Sequence, residues 1–346
     1  MIKNVALVIF IISALSSAHA QTPFYQGKHI LLIVGSGPGG MGDLRAKALA
    51  AALTRHIPGN PPIVFQYMGG AGGRRAANQI YNTSKPDGLT LLRVTSSIVP
   101  YAVLGEPGVQ YDIDKLNYLG ATEHQLYYML VTRKGAGINS LEKLRSTPGI
   151  RIGSSPVGHT GYLQIRMLAY LLDMKDPKIV PGYEGKDLDV AMAAGEVDGR
   201  IASTGTVSQN DLLSKNLADF HVGLGIPASY KDPRFAHLKL PDLSSFAKSE
   251  KERKLLTMAE GFRVVGTILT APPGTPKERL DTLKEAVRKT YADPQFAADY
   301  KRLTGGDDPS PLLPDDQAKI VRGIPRDPEI IELFKKFAST AALPPR

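Results

Sequence analysis

Four loops of small and hydroxyl-bearing residues contain the residue types most able to do chemistry in this sequence. They lie at 35–43, 69–73, 153–161 and 203–206. Small residues let a negatively charged group approach backbone N–H donors, above all where a helix begins. Serine and threonine hydroxyls add further donors. The four loops therefore indicate binding of an anion.

The first loop has the dinucleotide-binding spacing Gly35-x-Gly37-x-x-Gly40. The next predicted strand ends in Phe65-Gln66-Tyr67, without the Asp or Glu that holds a ribose. Dinucleotide binding is therefore not favoured, although the physical basis for anion binding at this loop remains. Asp43 is placed to cap the helix that follows.

The third loop permits an enzymatic interpretation, with Ser155 as a nucleophile and His159 as its base. Val157 stands where a Gly-x-Ser-x-Gly turn needs its second glycine. No histidine pair has a metal-ligand spacing on one helix face. We expect a protein without catalytic residues, metal or cofactor, and an exported hydrolase using Ser155 and His159 is the alternative.

Composition excludes several classes of protein. The 346 residues include no cysteine, which rules out disulfides, thiol nucleophiles and cysteine-ligated metals. Lys and Arg number 42 against 33 Asp and Glu, for a net charge of +9. The basic residues are scattered along the chain, whereas nucleic-acid-binding proteins concentrate them on one face. We therefore predict no nucleic-acid partner.

The first 20 residues have the three parts of a secretory signal peptide. Lys3 gives a positive start, 5–15 is apolar, and Ala18 and Ala20 supply the small residues of a cleavage site. The apolar run is too short to span a membrane as a stable helix. We expect cleavage after residue 20 and an exported, soluble mature protein.

Strand and helix patterns alternate along the mature chain, which predicts parallel strands joined by helices. Each polar loop follows a strand, so the loops of one sheet should meet at one edge. Strands are predicted at 29–34, 63–67, 89–94, 127–132, 150–152, 178–180, 199–202, 219–223 and 261–271.

Several short motifs, in this order, resemble one known family. They are Gly39-Gly40-Met41-Gly42-Asp43, Gly69-Gly70-Ala71-Gly72-Gly73, Pro86-Asp87-Gly88-Leu89-Thr90-Leu91-Leu92, Gly153-Ser154-Ser155 with Gly158-His159, Val180-Pro181-Gly182-Tyr183-Glu184-Gly185, Gly195-Glu196-Val197-Asp198 and Ala271-Pro272-Pro273-Gly274-Thr275-Pro276. Over about 28–337 the chain is similar to the solute-binding proteins of tripartite tricarboxylate transporters, the TctC or Bug family.

The resemblance implies an α/β fold, a two-lobed periplasmic binding protein of the type II-like, Venus-flytrap kind. It implies a first lobe at 28–127 plus 230–346 and a second at 128–229. The family closes on a small carboxylate and hands it to membrane permease subunits. A ligand-binding partner of a signalling receptor is a further alternative to a transport role.

The same resemblance, together with the polar loops, gives the candidate ligand-binding residues. Arg74-Arg75, the extra residue Gly182 and the pair Ser203-Thr204 depart from the residues that are common in the family, which puts the identity of the acid in doubt more than its charge. The candidates are Gly37, Gly39, Gly40, Met41, Asp43, Gly70, Ala71, Gly72, Arg74, Ser96, Ser154, Ser155, Gly158, His159, Thr160, Tyr183, Ser203 and Thr204.

Overall fold

A computed structural model describes residues 22–124, 127–183, 186–225 and 234–346. The predicted signal peptide, 1–20, lies outside these residues. The strands are β1 (Ile30–Val34), β2 (Ile63–Tyr67), β3 (Thr90–Val94), β4 (Asn117–Gly120), β5 (Tyr128–Arg133), β6 (Arg151–Gly153), β7 (Lys178–Val180), β8 (Gly199–Ser203), β9 (Ala218–Leu224) and β10 (Ile268–Ala271).

Twelve α-helices are found within the described residues. They are α1 (Met41–His56), α2 (Arg74–Asn82), α3 (Ile98–Val103), α4 (Leu141–Ser146), α5 (Thr160–Leu171), α6 (Asp187–Ala194), α7 (Thr204–Gln209), α8 (Glu250–Val264), α9 (Lys277–Ala292), α10 (Pro294–Leu303), α11 (Pro314–Arg322) and α12 (Pro328–Ala338).

The strands form two five-stranded sheets, ordered β2-β1-β3-β10-β4 and β7-β6-β8-β5-β9. In the first, β1 is parallel to β2 and β3, while β10 is antiparallel to both its neighbours. In the second, β6 is parallel to β7 and β8, and β5 is antiparallel to β8 and β9. The parallel strands of each sheet end in the polar loops, as the alternating pattern predicts.

Helices pack against both sheets to give two α/β lobes, one around each sheet, and this fold class is as predicted. In the first lobe α1 packs against β2 and against α9 and α10, while α11 packs against β4. In the second lobe α6 and α7 pack on β8. The apolar strands of both sheets, such as β1 with its buried Ile30, Leu32 and Val34, form the cores beneath these helices.

The last helix, α12, packs on α5 of the second lobe and on α8. Arg166 of α5 donates to the Ala341 carbonyl at 2.6 Å, and the Tyr162 hydroxyl donates to the Ser339 carbonyl at 2.8 Å. The carboxyl-terminal segment therefore contacts the second lobe. The exact lobe boundaries stay a prediction.

The long predicted strand at 261–271 is wrong over its first part. Residues up to Val264 complete α8, and β10 begins only at Ile268. Among the described residues, no helix combines the length and the apolar character that crossing a membrane requires.

Candidate functional site

A cavity of about 610 Å³ lies between the two lobes. The first lobe lines it with the loop at 35–42, the residues after β3 and the residues after β4. The second lobe lines it with the loop after β6, the start of α5 and parts of α6, β8 and α7. Because both lobes supply its walls, a molecule bound there would hold them together.

The first glycine loop ends in the amino terminus of α1. Met41 and Gly42 open this helix, so their N–H groups have no carbonyl partner inside it, and both residues line the cavity. Gly39 has a φ of 83°, which a residue with a side chain rarely adopts. The helix end therefore offers backbone donors and a positive dipole end to an anion.

Asp43 stabilises the glycine loop through hydrogen bonds and does not line the cavity. Its carboxylate accepts from the Gly39 N–H at 2.7 Å, the Tyr67 hydroxyl at 2.7 Å and Lys47 Nζ at 2.8 Å. Burial alone would raise its pKa, but the Lys47, Gly39 and Tyr67 hydrogen bonds hold the pKa below the usual value. Asp43 therefore holds the loop in the conformation that points the N–H groups of Met41 and Gly42 at the cavity.

Three serine hydroxyls in the cavity have no hydrogen-bond partner in the described part of the chain. Ser36 and Ser96 belong to the first lobe and Ser155 to the second. Unpaired hydroxyls facing a cavity are free to donate to a bound anion. Their origin in two lobes means that one ligand can use donors from both.

The lobes also contact each other directly at the cavity wall, through Ser97 of the first lobe and Thr160 of the second. The Ser97 and Thr160 hydroxyls are 2.9 Å apart, and the Thr160 N–H donates to Ser97 Oγ at 3.1 Å. The Gly161 N–H donates to Nδ1 of His159 at 3.0 Å. The first two amide donors of α5 are therefore satisfied by the protein itself, unlike those of α1.

His159 is neutral at physiological pH. Burial lowers the pKa of its ring to about 4. Since Nδ1 accepts the Gly161 N–H, the proton of the neutral ring is on Nε2, which lies 3.5 Å from Thr95 Oγ1. The ring therefore presents a donor, and no charge, to the cavity.

This lowered pKa predicts a pH dependence of stability. Between the ordinary pKa of 6.5 and about 4, the unfolded chain binds a proton at this ring that the folded protein does not. Stability contributed by the neutral ring is therefore lost as the pH falls through that range. We expect His159→Gln to lose less stability than the parent between pH 7 and 5, by up to about 1.4 kcal/mol per pH unit.

Urea unfolding of the two proteins at pH 7, 6 and 5 measures this difference. His221→Gln is the positive control, because burial also lowers the His221 pKa to about 4, so this variant should likewise lose less stability than the parent over the same pH range. Parallel stability curves for the parent and His159→Gln would contradict the assignment of a neutral His159.

Arg93 and Glu123 form a buried ion pair at the first-lobe wall of the cavity. Arg93 is 4% exposed and Glu123 is 1% exposed, and Nη2 of Arg93 lies 2.8 Å from Oε1 of Glu123. Arg93 also donates to the Gly42 carbonyl at 2.9 Å, which ties the pair to α1. Arg45 lies 3.9 Å from the same carboxylate and 3.4 Å from Asp307.

A second arginine–carboxylate pair belongs to the second lobe. Arg200 of β8 donates to Asp189 of α6, and both line the cavity. Among the residues that the structure describes, five cationic side chains and two carboxylates line the cavity: Arg45, Arg93, Lys186, Arg200 and Arg263 against Glu123 and Asp189. The cavity is therefore net positive, which favours an anionic occupant.

Eleven of the predicted residues line the cavity: Gly37, Gly39, Gly40, Met41, Gly72, Ser96, Ser154, Ser155, His159, Thr160 and Tyr183. The other seven do not: Asp43, Gly70, Ala71, Arg74, Gly158, Ser203 and Thr204. Arg74 stacks its guanidinium over Tyr101 at 5.4 Å, and Ser203 caps α7 by accepting the Thr206 N–H at 3.2 Å. Thr204 donates to Asp307 across the lobes at 2.9 Å.

Sequence reasoning missed the charged residues of the cavity. They are Arg45, Arg93, Glu123, Lys186, Asp189, Arg200 and Arg263. The sequence did mark Arg93 and Arg200, since each is the one charged residue of its strand. A charge in such a position is buried only when it is paired or functional.

Ser155 and His159 are not arranged as a nucleophile and its base. Nδ1 of His159 is engaged by the Gly161 N–H, and Nε2 is nearest to Thr95. Neither ring nitrogen is therefore positioned to take a proton from Ser155. Among the described residues, no group of three or more His, Asp or Glu side chains has the arrangement of a metal site.

Comparison with known proteins agrees with the fold. No family model matches the chain. A UPF0065 protein of Bordetella bronchiseptica is 24% identical over 308 residues, covering 85% of this chain and 82% of its own length. The periplasmic binding protein BugD superposes with a TM-score of 0.68 at 20% identity, over 90% of this chain and 98% of that one. The chain has the fold of the TctC/Bug solute-binding proteins.

Two further structures share this TctC/Bug fold. MatC of Rhodopseudomonas palustris, with bound malate, has a TM-score of 0.65 at 21% identity, over 90% of this chain and 99% of that one. A TctC solute-binding protein from Polaromonas has a TM-score of 0.57 at 18% identity, over 90% and 98% of the two chains. The resemblance predicted from the sequence is confirmed.

Proposed function

We propose that this chain is a periplasmic solute-binding protein that captures a small organic acid between its lobes and delivers it to a tripartite tricarboxylate-type permease. The observation that carries the proposal is the net positive cavity with free hydroxyls from both lobes, Ser36 and Ser96 on one side and Ser155 on the other. The malate named for MatC supports a carboxylate as the ligand.

Binding energy is available from the donors alone. A hydrogen bond to a charged acceptor contributes about 1.5–3 kcal/mol, and micromolar affinity requires about 8 kcal/mol net. The two helix-end amides of Met41 and Gly42, the three hydroxyls and the Nε2–H of His159 can supply that against the cost of ordering the ligand. Because these donors come from both lobes, binding favours the closed form.

The test is stabilisation of the mature chain, 21–346, by a panel of mono-, di- and tricarboxylates. At 100 times its dissociation constant, a true ligand should stabilise the protein by about 2.7 kcal/mol, measured by urea or thermal unfolding. The corresponding amides, which have the same shape without the charge, are the control. No stabilisation by any acid, together with no acid released from freshly purified protein in native mass spectrometry, would refute the proposal.

Export and delivery need separate tests. Fractionation of cells that express the full chain should place the mature form in the periplasm. Crosslinking in membranes that contain the permease subunits should capture the acid-bound form in preference to the free form. Recovery of a signalling receptor in place of a permease would favour the sensing alternative.

A further inference from the structure

Thr204 and Asp307 form a hydrogen bond that joins the two lobes outside the cavity lining. Thr204 is the first residue of α7 in the second lobe, and its hydroxyl donates to Oδ1 of Asp307 at 2.9 Å. Asp307 follows α10 in the first lobe. The two residues are 4% and 6% exposed, and neither lines the cavity. We call the contact between α7 and residues 303–307 the α7 seam.

Further hydrogen bonds extend the α7 seam along the helix. Gln209 of α7 donates through Nε2 to the Leu303 carbonyl at 3.3 Å. Arg234 donates through Nη1 both to Oγ of Ser208, in α7, at 3.0 Å and to the Gly305 carbonyl at 2.9 Å. The lobes are therefore joined along the length of α7 by the protein's own groups.

Asp307 also contacts a charged residue of the cavity wall. Its Oδ2 lies 3.4 Å from Nη2 of Arg45, a residue of α1 that lines the cavity and whose side chain is 7% exposed. One carboxylate oxygen thus faces the first-lobe arginine, and the other accepts from the second lobe. Because a buried ion pair restricts the orientation of the carboxylate, Arg45 preorganises Asp307 as the acceptor for Thr204.

We infer that Asp307 is a positioning residue for closure: with Thr204 it forms a latch that favours the closed arrangement of the lobes before an acid is bound. This inference rests on the proposed function, since closure is the step that would capture the acid. The apparent affinity falls when fewer molecules have the binding-competent arrangement. A hydrogen bond that exists only in the closed form therefore raises affinity without contacting the ligand.

Distance measurements on acid-free protein test the latch directly. The chain contains no cysteine, so Lys85→Cys and Lys175→Cys, at exposed positions, give one spin label on each lobe. Dialysis in urea followed by refolding removes any bound acid. The parent should show a population at the label distance of the closed arrangement. Thr204→Val should lower the ratio of closed to open molecules about 10- to 100-fold, the factor expected for one hydrogen bond to a charged acceptor.

Thr290→Val is the matched control for this substitution. The buried Thr290 hydroxyl donates to the Ala286 carbonyl at 2.9 Å within α9, so the variant removes a hydroxyl hydrogen bond that lies outside the α7 seam. It should leave the ratio of closed to open molecules unchanged. Thr204→Ser keeps the hydroxyl donor and should keep the closed population of the parent. If Thr204→Val does not fold, Asp307→Asn, which retains an acceptor without the charge, is measured in its place.

Calorimetry with malate and citrate as probes measures the consequence for binding. Thr204→Val should bind an acid that the parent binds more weakly, by up to the factor lost in the closed-to-open ratio, whereas Thr290→Val should bind it as the parent does. Equal closed populations in the parent and a folded Thr204→Val protein, or a parent that is fully open without acid, would overturn the latch. Failure of the parent to bind any acid of the carboxylate panel would count against the proposed function, and the distances would still decide on the latch.

Discussion

Glu123→Gln is expected to destabilise the protein by about 3–5 kcal/mol at pH 7, measured by urea unfolding. The substitution removes the charge that faces Arg93 at 2.8 Å and Arg45 at 3.9 Å. Arg93 then stays buried without its counterion, while Arg45 keeps Asp307 at 3.4 Å, and an uncompensated buried charge costs far more than the ion pair itself contributes. The Thr122 and Thr267 hydroxyls, which donate to this carboxylate, also lose a charged acceptor.

An exposed ion pair provides the control for this effect. Lys284 and Asp315 lie 2.8 Å apart, but the Asp315 side chain is 70% exposed. Solvent screens such pairs, so Asp315→Asn should cost no more than about 1 kcal/mol. The double variant Arg93→Met with Glu123→Gln should recover part of the single-variant loss. A cost below 1 kcal/mol for Glu123→Gln would show that the buried cluster is not what stabilises this wall.

The pKa of Glu123 makes the stability cost of Glu123→Gln depend on pH. Burial by itself would raise the Glu123 pKa, but Arg93 and Arg45, with the two threonine hydroxyls, hold the pKa below the usual glutamate value. Its contribution is therefore complete above the ordinary pKa and is lost as the pH falls toward the lowered pKa. The stability difference between the parent and Glu123→Gln should accordingly shrink as the pH is lowered below the ordinary glutamate range.

The sequence predicts elements well wherever local pattern and turn residues agree. The strands at 63–67 and 178–180 have the predicted bounds, since each lies between clear breakers. The prediction at 261–271 fails because aromatic and β-branched residues are common to strands and to buried helix faces. Leu255, Met258, Phe262 and Val265 are buried at helical spacing, and Ser249 with Glu252 forms a capping box at the start of α8. The helical spacing of these buried residues was therefore a better guide than the strand-forming residue types.

In the candidate site, too, local features could be predicted from the sequence and long-range contacts could not. Glycine loops at strand ends are local features, and most of their residues do line the cavity. The ion pairs are not local, because Arg93 and Glu123 are 30 residues apart and meet only through the strand order of the first sheet. Asp43 illustrates the converse: its position fitted both ligand binding and capping of α1, but Gly40 is the N-cap residue, and the Asp43 carboxylate instead accepts from Gly39 and from Tyr67 of the neighbouring strand β2.

Gly205→Val is expected to weaken acid binding about 5- to 150-fold while leaving each lobe folded. Gly205 lies in α7 with an ordinary helical backbone, so a side chain is tolerated there conformationally. A Cβ at this position would lie 2.5 Å from Oδ2 of Asp307, 2.8 Å from the Thr304 carbonyl and 3.0 Å from Met41. These atoms belong to the first lobe, so the clash exists only when the lobes are together. Overpacking of about 1–3 kcal/mol then opposes closure and appears as lost affinity.

Calorimetry measures the affinity, and small-angle scattering with saturating acid measures whether the lobes still close. Gly261→Ala is the matched control, because Gly261 is also helical and its Cβ would meet Ile324 at 3.4 Å, an ordinary contact remote from the cavity lining. The control should bind and close as the parent does. An unchanged affinity in a folded Gly205→Val protein would mean that the contact of α7 with Asp307 and Thr304 is not part of the ligand-bound form. Closure would then have to be assigned to the Ser97–Thr160 contact at the other end of the cavity.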